Sequence, residues 1–187
     1  MAITPLDANT ALVIIDLQKG LASYSTVHSI DDVARHAADL AAAFRRHQLP
    51  VVLVNADGGA PGRTQVPRGA TERPADWLEF MAALDRRPQD HVVTKRTWGA
   101  FTNTGLEAHL KRQNVTQIVL AGVATSIGVE STARQAHELG FHVALAVDAM
   151  TDLSLDAHDN SVTRIFPRLG ENATTHEILE LLKKRFE

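Results

Sequence analysis

Apolar runs of strand length alternate along this chain with stretches of helical period. Ala11–Ile15, Pro50–Asn55, His91–Lys95, Gln117–Gly122 and Phe141–Val147 read as five strands, and a short sixth is expected near Asn172. These runs hold few alternating polar positions, the pattern of strands covered on both faces. Between the first two, Val33, Ala37, Leu40, Ala41 and Phe44 recur at helical spacing. Ser29 is placed to cap that helix, with Asp31 and Asp32 at the positive end of its dipole, and Pro50 stops it. Thr104 and Glu107 have the spacing of a capping box for a helix running through Gln113. Another helix is expected from near Ser126 to about Leu139, with Val129, Thr132, Ala133, Ala136 and Leu139 inward and Gly140 just past its end. Leu155–Phe166 reads as helical. Thr174 to Glu177 caps a last helix bearing Ile178, Leu181, Leu182 and Phe186.

Strands alternating with helices predict an α/β fold, a three-layer α/β/α sandwich around a six-stranded, mostly parallel sheet. Right-handed crossovers leave few strand orders, and the Rossmann-like order 3-2-1-4-5-6 is one of them. No repeat or linker divides the chain, so residues 1–187 read as a single domain. Residues 56–75 are rich in glycine and proline and predict a long loop, of the kind that forms lids or binding loops.

Composition narrows the function more by exclusion than by assignment. The hydrophobic share of 44% and charged share of 22% are ordinary for a globular protein. A net charge of -3 gives no reason to expect nucleic acid or an anionic membrane as partner. No run approaches the ~20 apolar residues of a membrane span, and the first residues lack the basic start of a signal peptide, so a cytoplasmic location is expected. The chain has no cysteine, which removes disulfides, zinc-thiolate sites and thiol catalysis together. Its nine histidines show no metal-binding spacing, and no metal or cofactor is expected.

Parallel strands share a carboxyl edge where ligands bind, and three of the predicted strands end there in chemically useful residues. Asp16 follows Val13-Ile14-Ile15. Burial there would raise its pKa and suit proton transfer, although a turn aspartate has the same placement. Lys95 ends the third strand. A lysine there can simply reach solvent, but Trp98 and Phe101 follow closely and offer an apolar wall, or ordinary core packing. An ammonium beside Asp16 would oppose the effect of burial on its pKa. Gly122 to Val129 joins a strand to a helix. Its backbone amides around Ala124, Thr125 and Gly128 can hold an oxyanion, or the segment is a plain connection. Asn55 points to the same edge and is expected to line the pocket.

Ile14-Ile15-Asp16-Leu17-Gln18, Thr94-Lys95-Arg96 with Trp98-Gly99-Ala100-Phe101, and Gly122 to Val129 together resemble the three motifs of the isochorismatase-like hydrolase superfamily. The resemblance covers nearly the whole chain and implies the same strand order. It implies that Asp16 is the acid/base, that Lys95 is catalytic, and that Val123-Ala124 is a cis peptide. Gly128 stands where the amidase branch has its cysteine, as in the branch with glycine in place of the nucleophile. Ser126 is displaced from that position by two residues and is expected to be a cap. The implied activity is acid-assisted attack by water on a small molecule such as a vinyl ether of the isochorismate type, without a covalent thioester. Amide or ester hydrolysis by activated water is the alternative, as is a noncatalytic binding or assembly protein on the same scaffold. A dicarboxylate substrate would look to the arginines at 63, 68, 73 and 96. His158 lies in a segment resembling the site rim, and its own spacing suits a helix surface. The superfamily also implies a homo-oligomer.

Overall fold

The strands form where the apolar runs place them. A computed structural model describes residues 3–66 and 72–186. In it β1 (Thr10–Ile15), β2 (Val51–Ala56), β3 (His91–Lys95), β4 (Gln117–Val123), β5 (His142–Thr151) and β6 (Glu171–Ala173) build one sheet. Every neighbouring pair is parallel, in the order β3-β2-β1-β4-β5-β6. The helices are α1 (Lys19–Ala22), α2 (Ile30–Arg46), α3 (Leu106–Arg112), α4 (Glu130–Glu138), α5 (Leu155–Asn160) and α6 (Thr175–Phe186).

The pleat of the central strand divides the core in two. Leu12 and Ile14 face one way and pack with Val33, Leu40 and Phe44 of α2 and with Ile178 and Leu182 of α6. Ala11, Val13 and Ile15 face the other way, against Leu106 and Leu110 of α3 and Ala133 and Ala136 of α4. Both faces of the sheet are therefore dry, which explains strands without polar alternation.

Several caps form as their chemistry dictates. Ser29 accepts from the Asp32 amide at the start of α2. Thr174 and Glu177 close a reciprocal box ahead of α6: the Thr174 amide donates to Glu177 Oε2 at 2.7 Å, and the Glu177 amide donates to Thr174 Oγ1 at 3.2 Å. Thr174→Ala should lower stability by about 1 kcal/mol in denaturant unfolding. An unchanged midpoint would show that the box is not formed in solution.

The expected box at Thr104 and Glu107 does not form. The Thr104 hydroxyl donates to the Ala100 carbonyl and accepts from the Leu106 amide at 3.3 Å, but Gly105 is left-handed at φ 74 and Glu107 pairs with Lys111 instead of reaching back. Gly105 thus redirects the chain, and the helix begins only at Leu106. Two other helices are shorter than their periodicity predicts. A wide π turn, Thr125–Val129, precedes α4, and another, Ser161–Ile165, follows α5. The fifth strand is longer than predicted. Its register against β4 shifts between Leu120 and Gly122, so that pairing resumes at Gly122 with Met150. Among the described residues no helix is long and apolar enough to cross a membrane.

Candidate active site

Asp16 sits one residue past β1 in a left-handed conformation, φ 54, while its amide still donates to the Val54 carbonyl of β2 at 2.8 Å. The short polar side chain of aspartate makes that conformation cheaper than for most residues. Gln18, buried just beyond, clamps the strand ends: its side chain accepts from the Ala56 amide at 2.6 Å and donates to the Trp77 carbonyl at 2.8 Å. Lys95 ends β3, two strands away. Neighbouring strands lie about 4.8 Å apart, so its head must cross the end of β2 to reach β1, and lysine has the length to do so. Lys95 Nζ donates to Asp16 Oδ2 at 2.7 Å and to the Thr97 carbonyl at 3.2 Å.

Both members of this pair are buried, Asp16 with 5% and Lys95 with 3% of its surface exposed. Burial pushes the Asp16 carboxyl up from 3.8 to about 6, against the charge and the hydrogen bond of Lys95, which pull it down. Desolvation therefore wins the contest that the sequence left open. Asp16 Oδ1 is buried and has no hydrogen-bond partner among the described residues. The unpaired oxygen and the raised pKa suit a group that exchanges a proton with something else.

The turn after β4 forms the facing wall. Val123-Ala124 is a cis peptide. Ala124, Ile127 and Gly128 line a cavity of about 170 Å³ together with Asp16, Lys95, Trp98, Leu21, Tyr24 and Leu153. A methyl group built on Gly128 would stand 3.3 Å from Asp16 Oδ2 and 3.0 Å from Ile15 Cγ2. Position 128 thus faces the acid, and any side chain there would crowd Asp16 Oδ2, Ile15 and the Val123 carbonyl. The Ser126 amide donates to Asp152 Oδ2 at 2.7 Å, and the Ile127 and Val129 amides both donate to the Ala124 carbonyl at 3.1 Å. Those three amides are engaged within the protein.

Of the remaining candidates, Trp98 lines the cavity and is 61% exposed. Phe101 turns inward and stacks on Phe141, with ring centroids 5.9 Å apart, and is not among the lining residues. Asn55 donates to the Leu78 carbonyl at 2.8 Å and lines a separate depression against residues 75–82. The Thr125 side chain points under the turn, where its hydroxyl bonds the Thr151 carbonyl and His158 Nδ1. His158 is buried and not on a helix surface, and burial followed by the neighbouring His28 holds its pKa below the usual value. The arginines offered for a dicarboxylate, each of which could equally be a surface charge, are not among the described lining residues: Arg73 and Arg96 both pair with Asp57, at 2.9 and 3.0 Å, and Arg63 is exposed. Arg68 lies outside the described residues.

The sequence reading missed Leu21, Tyr24, Ile127 and Leu153 as lining residues, because each is an ordinary apolar or aromatic side chain whose place at the pocket is set by tertiary packing. Asp152 was missed too; its carboxylate ties down the Ser126, Leu153 and Ser154 amides. An acid just past a buried strand was the available signal, the same one that marks Asp16.

The isochorismatase domain, as a family, matches residues 10–177 of the chain. The chain belongs to the isochorismatase family. The isochorismatase family protein YwoC of Bacillus subtilis is 42% identical over 181 residues, covering 93% of this chain and 94% of that protein. The solved structure of an isochorismatase family protein from Burkholderia thailandensis has the same fold, with a TM-score of 0.93 at 42% identity over 97% of this chain and all of that one. Streptothricin hydrolase of Streptomyces noursei is 33% identical over 150 residues, 79% of this chain and 51% of that protein. Within this family the chain is a hydrolase that has no cysteine.

Proposed function

We propose that this isochorismatase-family hydrolase cleaves a small molecule by acid-assisted attack of water, with Asp16 as the acid and no covalent intermediate. The observation that carries the reading is the buried Asp16–Lys95 pair, in which Oδ2 takes the Lys95 hydrogen bond and faces Gly128 while Oδ1 has no partner among the described residues. For a vinyl ether the steps balance simply. Protonated Asp16 gives its proton to the terminal alkene carbon, and an oxocarbenium ion forms. Water adds to that cation and returns a proton to the Asp16 carboxylate. The hemiketal then collapses to an alcohol and a ketone. Lys95 holds Asp16 in place and balances its charge once the proton has left. Of the turn after β4, the amides of Ala124, Thr125 and Gly128 hold an oxygen of the substrate. No metal or cofactor enters this scheme, and the enzyme is proposed to act in the cytoplasm as a homo-oligomer.

Amide or ester hydrolysis is the second reading. Streptothricin hydrolase, named above, and the ureidoacrylate amidohydrolase RutB of Variovorax paradoxus, 27% identical over 176 residues, favour it by their names. A panel of enol ethers, amides and esters separates the two readings. Hydrolysis of amides alone would overturn the enol-ether scheme, and hydrolysis of none would leave a noncatalytic binding protein.

The pH profile tests the acid itself. A general acid works while protonated, so the rate should fall as pH rises through about 6. Lys95→Met removes both influences that lower the Asp16 pKa and leaves burial in place. The falling limb should therefore move to higher pH than in the parent enzyme. A limb that stays put or moves down would show that another group sets the profile.

A further inference from the structure

The catalytic pocket is unusual in how little charge it offers. Among the described residues lining it, the charged groups are Asp16 and Lys95, and they pair with each other. The rest of the wall is mostly apolar: Leu21, Val123, Ala124 and Ile127 below, and Tyr24, Trp98 and Leu153 at the mouth. Those last three are 46%, 61% and 52% exposed and belong to the few large hydrophobic side chains that the described surface displays. Apolar side chains gathered on one rim mark a binding surface, whereas scattered ones need no explanation. A dry apolar cavity of about 150 Å³ is enough for a benzene-sized ring, and this one measures about 170 Å³.

We infer that the pocket takes a small molecule with an apolar, ring-sized body that carries no strongly polar group besides the one that reacts, and that it disfavours dicarboxylates. The inference rests on the proposed chemistry only in placing the reactive group against Asp16. The physical reason is desolvation. A second carboxylate entering this wall would lose its water and find no free cation among the described lining residues, since Lys95 is committed to Asp16. The substrate's apolar body would meet the Trp98 and Tyr24 rings at the entrance, where stacking and burial add to its binding.

Binding can be measured apart from turnover by calorimetry and ligand-observed NMR, with three probes sharing one ring: benzamide, benzoate and isophthalate. Benzamide should bind saturably, and isophthalate at least roughly tenfold more weakly. Trp98→Ala and Leu153→Ala should each weaken benzamide by roughly threefold to tenfold. Isophthalate binding as tightly as benzamide would overturn the inference, as would benzamide binding untouched by both variants. If the two variants instead change the oligomeric mass in light scattering and leave benzamide affinity alone, the rim is an interface between copies and the inference fails. Asp16→Asn separates the two levels. Benzamide binding with turnover lost supports both. Retained turnover with benzamide still bound ends the acid scheme and leaves the pocket assignment standing.

Discussion

Asp16→Asn should lower turnover by about 10²- to 10⁴-fold, the share that a positioned general acid contributes. Asparagine keeps the shape of the side chain and removes the exchangeable proton. The unpartnered Oδ1 is where that loss is felt, because none of the described residues uses it. Folding should survive, and circular dichroism should match the parent. The variant also carries a signature in stability. Folded Asp16 keeps its proton up to about pH 6, whereas the unfolded chain releases it near 3.8. Its contribution to stability is therefore fully present below about pH 3.8 and is lost as pH rises through about 6. The loss amounts to about 3 kcal/mol, from a shift of roughly two pH units at 1.36 kcal/mol each. Asparagine does not titrate, so the variant's stability relative to the parent should improve between pH 4 and pH 7. Stranding the Lys95 charge lowers the variant at every pH in that range and does not alter the trend. Turnover within threefold of the parent, or a stability difference flat with pH, would remove Asp16 from its proposed role.

Gly122→Ala is expected to be the most damaging small substitution in the sheet. Gly122 lies opposite Ile15 in the β1–β4 register with φ 121, a conformation closed to residues with a side chain. An added methyl would come within 2.0 Å of the Ile15 carbonyl oxygen and 2.7 Å of its nitrogen. Backbone cannot swing aside as a side chain can, so β1 and β4 would have to separate. Overpacking and the forced backbone conformation each cost about 1 to 3 kcal/mol, together about 2 to 6 kcal/mol. That is a large part of the 5 to 15 kcal/mol holding a typical domain together. Ile15 immediately precedes Asp16, so any folded fraction should also lose activity. Gly128→Ala provides the contrast, because its added methyl meets nothing nearer than 3.0 Å. A denaturant midpoint for Gly122→Ala equal to the parent's would show that the strands are not so close.

Much of the fold is legible along the chain because burial on both faces leaves a local mark. A strand such as Val51–Ala56, covered above and below by helices, must be apolar at nearly every position. Helix α2 is marked in the same way by its inward stripe and its cap. The misreadings occur where a local signal competes with a distant partner. Phe101 stands beside the site in sequence and is drawn into the core by Phe141. His158 has the spacing of a helix surface and is buried against Thr125 and His28. Each of those partners is set by packing, which no short stretch of chain records.

The sequence by itself determined the alternation of strands and helices, the lack of any thiol, and the placing of an acid, an amine and a glycine-bounded turn at strand ends. These are properties of single segments, written in residue type and period. Only the tertiary structure decided that Lys95 reaches across β2 to Asp16, that burial outweighs its charge in setting the Asp16 pKa, and that the surrounding wall is apolar. Distances between strands, solvent exclusion and the side chains converging from Leu21 to Leu153 exist only once the sheet has closed its two faces, because each depends on several segments meeting at one point.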